Sequence, residues 1–568
     1  MKRMLGVLFV IALLIAAIPM GANAAGSCMV IVNKTDLTAA PNHTISAGKG
    51  TAAWNEASRT LTLTNAMIDQ FDVDPANEWR YCGVYTNSDE PITVDLVGEN
   101  TIIFEGDALG TGIFAKAGMT VKGTGTLNLR TGGCGLEIDD SVTKSAEIKI
   151  TGGAKINIGH QGDTYLPVHG MIVQDDTGSN TSRKIIIEGQ GTQVHCLVKE
   201  CALLSGYTDG STSPCDIIIR NKAVVEAKST MNLPPICYAE GNFTVDDAQL
   251  IVDSSQGEGI RASRNLHFNK AAVNVKAMYN PLTAGGDFTA LQSNITAETK
   301  AEGHNGIWSE GNMKFQGGTM KFVSDGSGLY SGENVDITDT LIDGETRDGL
   351  AIMAAKDILL NQAKLKLKTP HNYVFWPQQG TLHMNGAEDN WRNYTQSYMT
   401  PADYNAVNAA KTKAEKLDAA LYKNFDAVTT AIKAIDLKKN FEQQSEVDAM
   451  AKAIEDALAA LVLKPADYTA VDAALAKVNG LDRTQYTDLS KVDAAAAAVV
   501  RGKDITQQSE VDAMAKAIED ALNSLVEKVV PMPVKLPKTG DSSHMTLNLV
   551  VCAAALAGAA VLVKKRRK

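Results

Sequence analysis

The feature that most constrains the fold is a short phrase that returns through the first two-thirds of the chain at intervals of about 22 residues. A glycine followed by an aliphatic residue stands at Gly112-Ile113, Gly135-Leu136, Gly259-Ile260, Gly306-Ile307, Gly328-Leu329 and Gly349-Leu350. Each phrase leads into short β-prone runs, such as 119–121 and 126–129 after the first and 147–150 and 155–158 after the second. The intervals are 23 residues from 112 to 135, 47 (two periods) from 259 to 306, then 22 and 21. Some intervals are longer, such as the 35 residues from Gly135 to Gly170, and the chain carries insertions such as 177–183.

Two or three strands of four to six residues per period are what one coil of a parallel β-solenoid needs. Alternation sends Ile, Val and Leu inward and Thr, Lys, Asn and Glu to water. Gly and Asn at the corners are expected to supply positive φ. Roughly a dozen coils at ~4.8 Å would stack to ~55 Å. A pair of β-sandwiches is the competing all-β fold, but hairpin signals are sparse, and only Asn385-Gly386, at the edge, is convincing. Open solenoid ends expose apolar interior and unpaired strand edge, so the segments 54–63 and 373–391 are expected to serve as caps.

Near residue 400 the composition changes: Gly nearly vanishes and Ala, Lys, Glu and Asp take over. Here the repeat is direct. Residues 401–404 recur at 465–468, and the sixteen residues 443–458 recur unchanged at 507–522, both at an offset of 64. Each unit reads as three helices, the third carrying an apolar stripe at Val447, Met450, Ile454, Leu458 and Leu461. Ser445 with Asp448, and Ser509 with Asp512, are expected N-caps, and Gly480 and Gly502 expected helix ends.

Both ends carry processing signals. Lys2 and Arg3 precede an apolar stretch, and Ala22, Ala24 and Ala25 frame a signal peptidase site with cleavage after Ala24. At the other end, Leu536, Pro537, Lys538, Thr539 and Gly540 precede the apolar run 545–563 and the basic tail 564–568. Nineteen apolar residues reach ~28 Å as a helix, about one hydrocarbon core, and the basic tail stays cytoplasmic. Without residues 1–24 and 540–568 the chain keeps 47 of 54 basic and 64 of 65 acidic residues, a net charge of −17. No nucleic-acid partner is expected of so acidic a surface.

The C-terminal order of pentapeptide, apolar run and basic stop resembles the LPXTG sorting signal of Gram-positive surface proteins. That resemblance implies sortase as a partner, cleavage between Thr539 and Gly540, and covalent transfer of Thr539 to peptidoglycan. The Trp54 phrase and the run around Ile92 are similar to right-handed β-helix modules of Firmicute surface proteins labelled carbohydrate-binding. Residues 401–528, through Tyr486, Leu489, Val492 and the phrase beginning at Gln507, resemble FIVAR three-helix repeats, variously linked to sugars, host matrix or a spacer role. The expected architecture is a signal peptide (1–24), a right-handed parallel β-helix with two caps (25–395), all-α three-helix repeats (401–464 and 465–528), an extended link (529–535), the sorting motif (536–540), a transmembrane helix (545–563) and a basic tail (564–568).

Carboxylate pairs of the kind a glycoside hydrolase uses stand at Asp139-Asp140, Asp175-Asp176 and Asp246-Asp247. Each adjoins turn residues, where Asp caps backbone amides, so no catalytic residue is assigned. His160, His169 and His195 share one 36-residue window but read as turn or surface histidines; no metal or cofactor is expected. Trp79, Tyr81, Tyr85 and Trp308 are the aromatic candidates for glycan stacking, with packing the commoner role. Seven cysteines precede the sorting motif, an odd number without zinc spacing, and read as buried apolar side chains with one disulfide left open between 196 and 237. The leading expectation is a wall-anchored adhesin or glycan-binding display protein facing host or dietary glycan or matrix protein. A surface polysaccharide lyase or hydrolase and a spacer without ligand are the alternatives.

Overall fold

The computed structural model describes residues 28–530 apart from 75–76, 105–109, 142–143, 175–180, 207–214 and 232–233. The expected signal peptide, sorting motif, transmembrane helix, basic tail and the pair Asp175-Asp176 lie outside the described residues. Among the described residues no helix is long and apolar enough to cross a membrane. Contacts divide the described residues into two compact units, one of residues 28–406 with 436–449, the other of 407–435 with 450–530.

The first unit contains a β-solenoid of about eleven turns. Each coil lays down three strands. In a middle coil these are Ile260–Ala262, Leu266–Asn269 and Ala272–Ala277. The next coil repeats them as Leu282–Ala284 and the long strand Phe288–Thr299, which serves the second and third positions with a bend at Gln292 (φ 49°). Pairing is parallel and in register: Ile260, Leu282, Ile307, Leu329, Ile352 and Phe375 stack one above another. Their alternation is the sequence pattern made solid. Interior positions such as Leu250, Phe268, Phe288, Phe315 and Ile337 are at most 1% exposed, and Phe268, Phe288 and Phe315 form a column with ring centroids 5.7 and 5.4 Å apart.

The corner residues and the glycines of the recurring phrase have separate tasks. The glycines of the recurring phrase do not take positive φ; they permit close approach of coils. A Cβ on Gly112 would stand 2.6 Å from the Gly135 carbonyl oxygen, one on Gly135 2.6 Å from that of Gly170, and one on Gly306 2.7 Å from that of Gly328. Positive φ is taken, as expected, at the corner between second and third strands, by Gly152, Gly189, Asn221, Asp247, Lys270, Gln292, Gly317, Asp339 and Gln362 in successive coils, with Asp, Lys and Gln serving there beside Gly and Asn. The phrase at Gly349-Leu350 is also out of step. Leu329 pairs with Ile352, 23 residues on, so Ala351 occupies the place of Gly328, while Gly349 packs over Gly326.

Antiparallel strands close both ends. At the start Thr44–Ala47, Gly50–Asn55 and Thr60–Thr64 form a meander that buries Trp54, and Thr60–Thr64 hands over to the parallel strand Ile92–Val97. At the finish Ser397–Met399 pairs antiparallel with Lys364–Lys368, and Asn385-Gly386, both at positive φ, turn the hairpin between Leu382–Met384 and Ala387–Asp389. Tyr394 and Tyr398 pack edge-on against Phe375 at 5.6 and 5.3 Å. These devices remove the free edge that a parallel stack would otherwise present.

The helical sequence forms Asn405–Glu415, Phe425–Lys433 and Gln444–Ala459, then Thr469–Asn479, Ser490–Ala497 and Gln508–Asn523. Ser445 is not the N-cap of its helix. The helix starts at Gln444 and continues a 3-10 turn capped by Asn440 and Gln443 in a reciprocal box, while Asp448 accepts a hydrogen bond from the Gln444 side chain at 2.9 Å. Ser509 likewise lies inside its helix, and Gln508 donates to Asp512 at 2.9 Å. Gly480 caps its helix, but Gly502 (φ 89°) lies in a loop after a helix that ends at Ala497. The second repeat buries small residues, among them Val471, Ala474, Val492, Val511 and Ile518.

Candidate functional site

In the three-residue strands of the first position, the outer two side chains point into the solenoid and the middle one points out. The register places Tyr85, Phe114, Glu137, Ile172, Leu204 and Tyr238 in one outward column, continued by Arg261, Thr283, Trp308, Tyr330, Met353 and Trp376. The column is unusually apolar for an outer face. Its early half is covered: Tyr85 and Phe114 stack at 5.6 Å, packed with Ile31 and Cys82, and Arg80 lies 4.3 Å over the Phe114 ring. Ile172, Leu204 and Tyr238 are buried with Cys201.

The later half is open. Trp308 and Tyr330 are half-buried with centroids 4.7 Å apart and planes tilted by 37°, and Trp376 is 36% exposed. Where Thr283 interrupts the large side chains, a groove of about 320 Å³ opens, lined by Arg261, Ser263, Asn280, Thr283, Trp308 and Glu310 among others. Thr283 is only 5% exposed, and its Oγ1 has no hydrogen-bond partner. Such an orphan costs about 1–3 kcal/mol if left dry. Beside the groove, Glu258 Oε2 lies 3.3 Å from Arg261 Nη1 without hydrogen-bond geometry, and burial pushes the Glu258 carboxyl above its usual range. Asn280 Oδ1 accepts the Asn305 backbone N–H at 2.9 Å, and Asn305 Oδ1 accepts that of Ser327, so one rim of the groove is fixed by a side-chain ladder.

Of the aromatic candidates, Trp308 lies in this groove. Tyr85 is buried in the covered half, Tyr81 stacks on Phe104 at 6.0 Å, and Trp79 belongs to the strand Asn77–Thr86. Asp139 accepts from the Ser141 N–H and Oγ, Asp246 accepts from Asn269 Nδ2 at 2.7 Å, and Asp247 pairs with Lys222. These are turn and ladder roles. The three histidines are not gathered together: His160 is a loop residue beside Asp163, His169 is largely buried on a first-position strand, and His195 pairs with Glu226 at 3.1 Å. Burial alone lowers the His169 pKa to about 4. All seven described cysteines are free thiols, and Cys82, Cys196, Cys201, Cys215 and Cys237 are buried.

Sequence reasoning missed two features. One is the outward column itself, whose signal was a single residue at a fixed place in each period. The other is a polar ladder along the turn into the second strand: Asp216, Asn242, Asn265, Asp287, Asn312, Asn334, Asp357 and Thr381 each sit one residue before an inward apolar side chain and are linked coil to coil.

Residues 529–568 match the family described as the LPXTG cell wall anchor motif. The class of protein follows: a surface protein processed by sortase and joined covalently to peptidoglycan, located at the Gram-positive cell wall. No curated protein and no solved structure matches the chain.

Proposed function

We propose that the solenoid is the ligand-binding head of a wall-anchored adhesin or glycan-binding display protein, with the half-open Trp308 groove as its site. In this reading the solenoid winds right-handed, the sense parallel crossovers take. Residues 401–528 act as a FIVAR-like stalk, 529–535 is the strip that reaches sortase, and 545–563 holds the precursor in the membrane until Thr539 is transferred. The observation that carries the reading is the coincidence in one groove of Trp308, which packs against Tyr330 of the next coil, with an unpartnered buried hydroxyl. Small-ligand sites combine apolar contact with a few placed polar groups in this way. The partner is then a host or dietary glycan, or the glycan of a matrix protein.

The test is binding of the chain from residue 25 to 539 to glycan and matrix-protein panels, alongside the Trp308→Ala variant. Binding that falls at least about tenfold in the variant, the equivalent of one aromatic stack, supports the assignment. A chain that binds nothing on either panel is a structural wall component.

A further inference from the structure

The groove supports a narrower statement, which rests on the glycan-binding reading above. We infer that it takes a neutral, extended hexopyranose chain lying along the solenoid axis, one sugar per coil, with its deepest sugar seated over Thr283 between Arg261 and Trp308. The spacing comes first. Successive strands of a parallel stack stand ~4.8 Å apart, close to the advance of one unit in an extended, equatorially linked pyranose chain. The column offers one outward residue per coil from Arg261 through Thr283, Trp308, Tyr330 and Met353 to Trp376. An apolar or aromatic surface therefore recurs at the period of the ligand.

The chemistry of each sugar matches what the column provides. A pyranose has C–H faces that lie on aromatic rings and an edge of hydroxyls that both donate and accept. Trp308 supplies an aromatic face in the groove, and Tyr330, packed against it one coil on, extends that face along the column. Arg261 brings donors, Glu310 acceptors, and Thr283 Oγ1 an uncommitted group that does both. Thr283 is also the one small side chain between Arg261 and Trp308 in register, so a ring can drop there to the level of the sheet.

Charge selects neutral chains over anionic ones. Two carboxyls, Glu258 and Glu310, flank the groove against the single guanidinium of Arg261, which already faces Glu258. The chain without its terminal signals carries a net charge of −17, and a uronate or sulfated chain would meet that field along its length.

The experiment titrates the 25–539 chain with two oligosaccharide series of one to six sugars, one neutral (β-1,4-linked glucose or mannose) and one uronate, by calorimetry at physiological salt. Affinity for a neutral series is expected to rise with length to about five sugars, the positions from Thr283 to Trp376, and then level. Trp308→Ala is expected to lower affinity about tenfold at every length. Trp376→Ala is expected to weaken only the longer ligands, which also shows that the variant folds and binds. Thr283→Val, which keeps the volume and removes the hydroxyl, should cost about fivefold or more even for a disaccharide. A uronate preference, affinity independent of length, or a Trp376→Ala loss on disaccharides overturns the axial neutral chain while leaving glycan binding intact. Absence of binding to either series and to the wider glycan panel overturns both.

Discussion

The polar ladder beside the second strands makes a directional prediction at Asn312. Its backbone N–H and Nδ2 donate to Asp287 Oδ1 at 2.7 and 3.3 Å, and its Oδ1 accepts from the N–H and Nδ2 of Asn334 at 3.4 and 3.0 Å. Replacing Asn312 by Ala removes three of these four bonds and leaves the Asn334 donors to water. At ~0.5–1 kcal/mol each for partly solvated groups, the loss is about 2 kcal/mol. Asn312→Asp keeps the acceptor for Asn334 but sets a second carboxylate against Asp287 where a donor stood. At that separation the repulsion is ~1–5 kcal/mol for a dielectric between water and a protein surface. Asp287→Asn keeps Oδ1 as acceptor and adds an amide donor toward Asn265, whose Oδ1 already receives the Asp287 N–H at 2.9 Å, so it should be neutral or mildly stabilising. Urea unfolding of the 25–539 chain, followed by circular dichroism at the strand band, measures all three at pH 7. Asn312→Asp as stable as the parent at pH 7, or Asp287→Asn as damaging as Asn312→Ala, would refute a ladder that runs donor to acceptor in one sense.

Three further outcomes rest on close packing and burial in the solenoid. Gly135→Ala puts a methyl 2.6 Å from the Gly170 carbonyl and 2.7 Å from Ile158 Cγ2, so it should cost about 3 kcal/mol through overpacking, measured by the same unfolding curves; a stability unchanged from the parent contradicts the close coil approach. His169, held at a pKa of about 4 by burial, takes up its proton in the unfolded chain first, near pH 6.5. Its contribution is therefore full above pH 6.5 and is lost as pH falls toward 4, by up to about 3 kcal/mol, less whatever the Glu200 carboxylate 4.0 Å away returns to the charged form. His169→Gln should flatten this acid limb. Burial pushes the Cys196 and Cys201 thiols up to about 12 and Cys237 well above its ordinary value. Alkylation at pH 8 should therefore spare these three in the native protein and reach all seven in denaturant; fewer than seven would reveal a disulfide.

Much of the architecture was legible because each coil repeats the same local rules. Ile148, Ile150, Ile156 and Ile158 alternate with polar residues and all point inward at 0% exposure, and Asn385-Gly386 turns the one hairpin its type demands. Gly349 misled because a glycine is required by whatever backbone lies above it, and that neighbour comes from a different coil. Ser445 misled for a related reason: the true cap, Asn440, precedes a 3-10 turn that delays the helix, and helix-start patterns do not reveal that delay. Trp308 was visible as an aromatic residue, but its partnership with Tyr330, 22 residues on, was not.

The sequence alone determined the coiled period, the inward alternation, the duplicated helical units and the anchoring signal, because these depend on local propensity, side-chain spacing or a linear peptide read by an enzyme. Only the tertiary structure decided which outward residues share a column, which half of that column is covered, and that the small side chain of Thr283 lies between Arg261 and Trp308. Those relations join residues a full coil apart through strand register. A shift of one residue in that register would turn every member of the column to the other face.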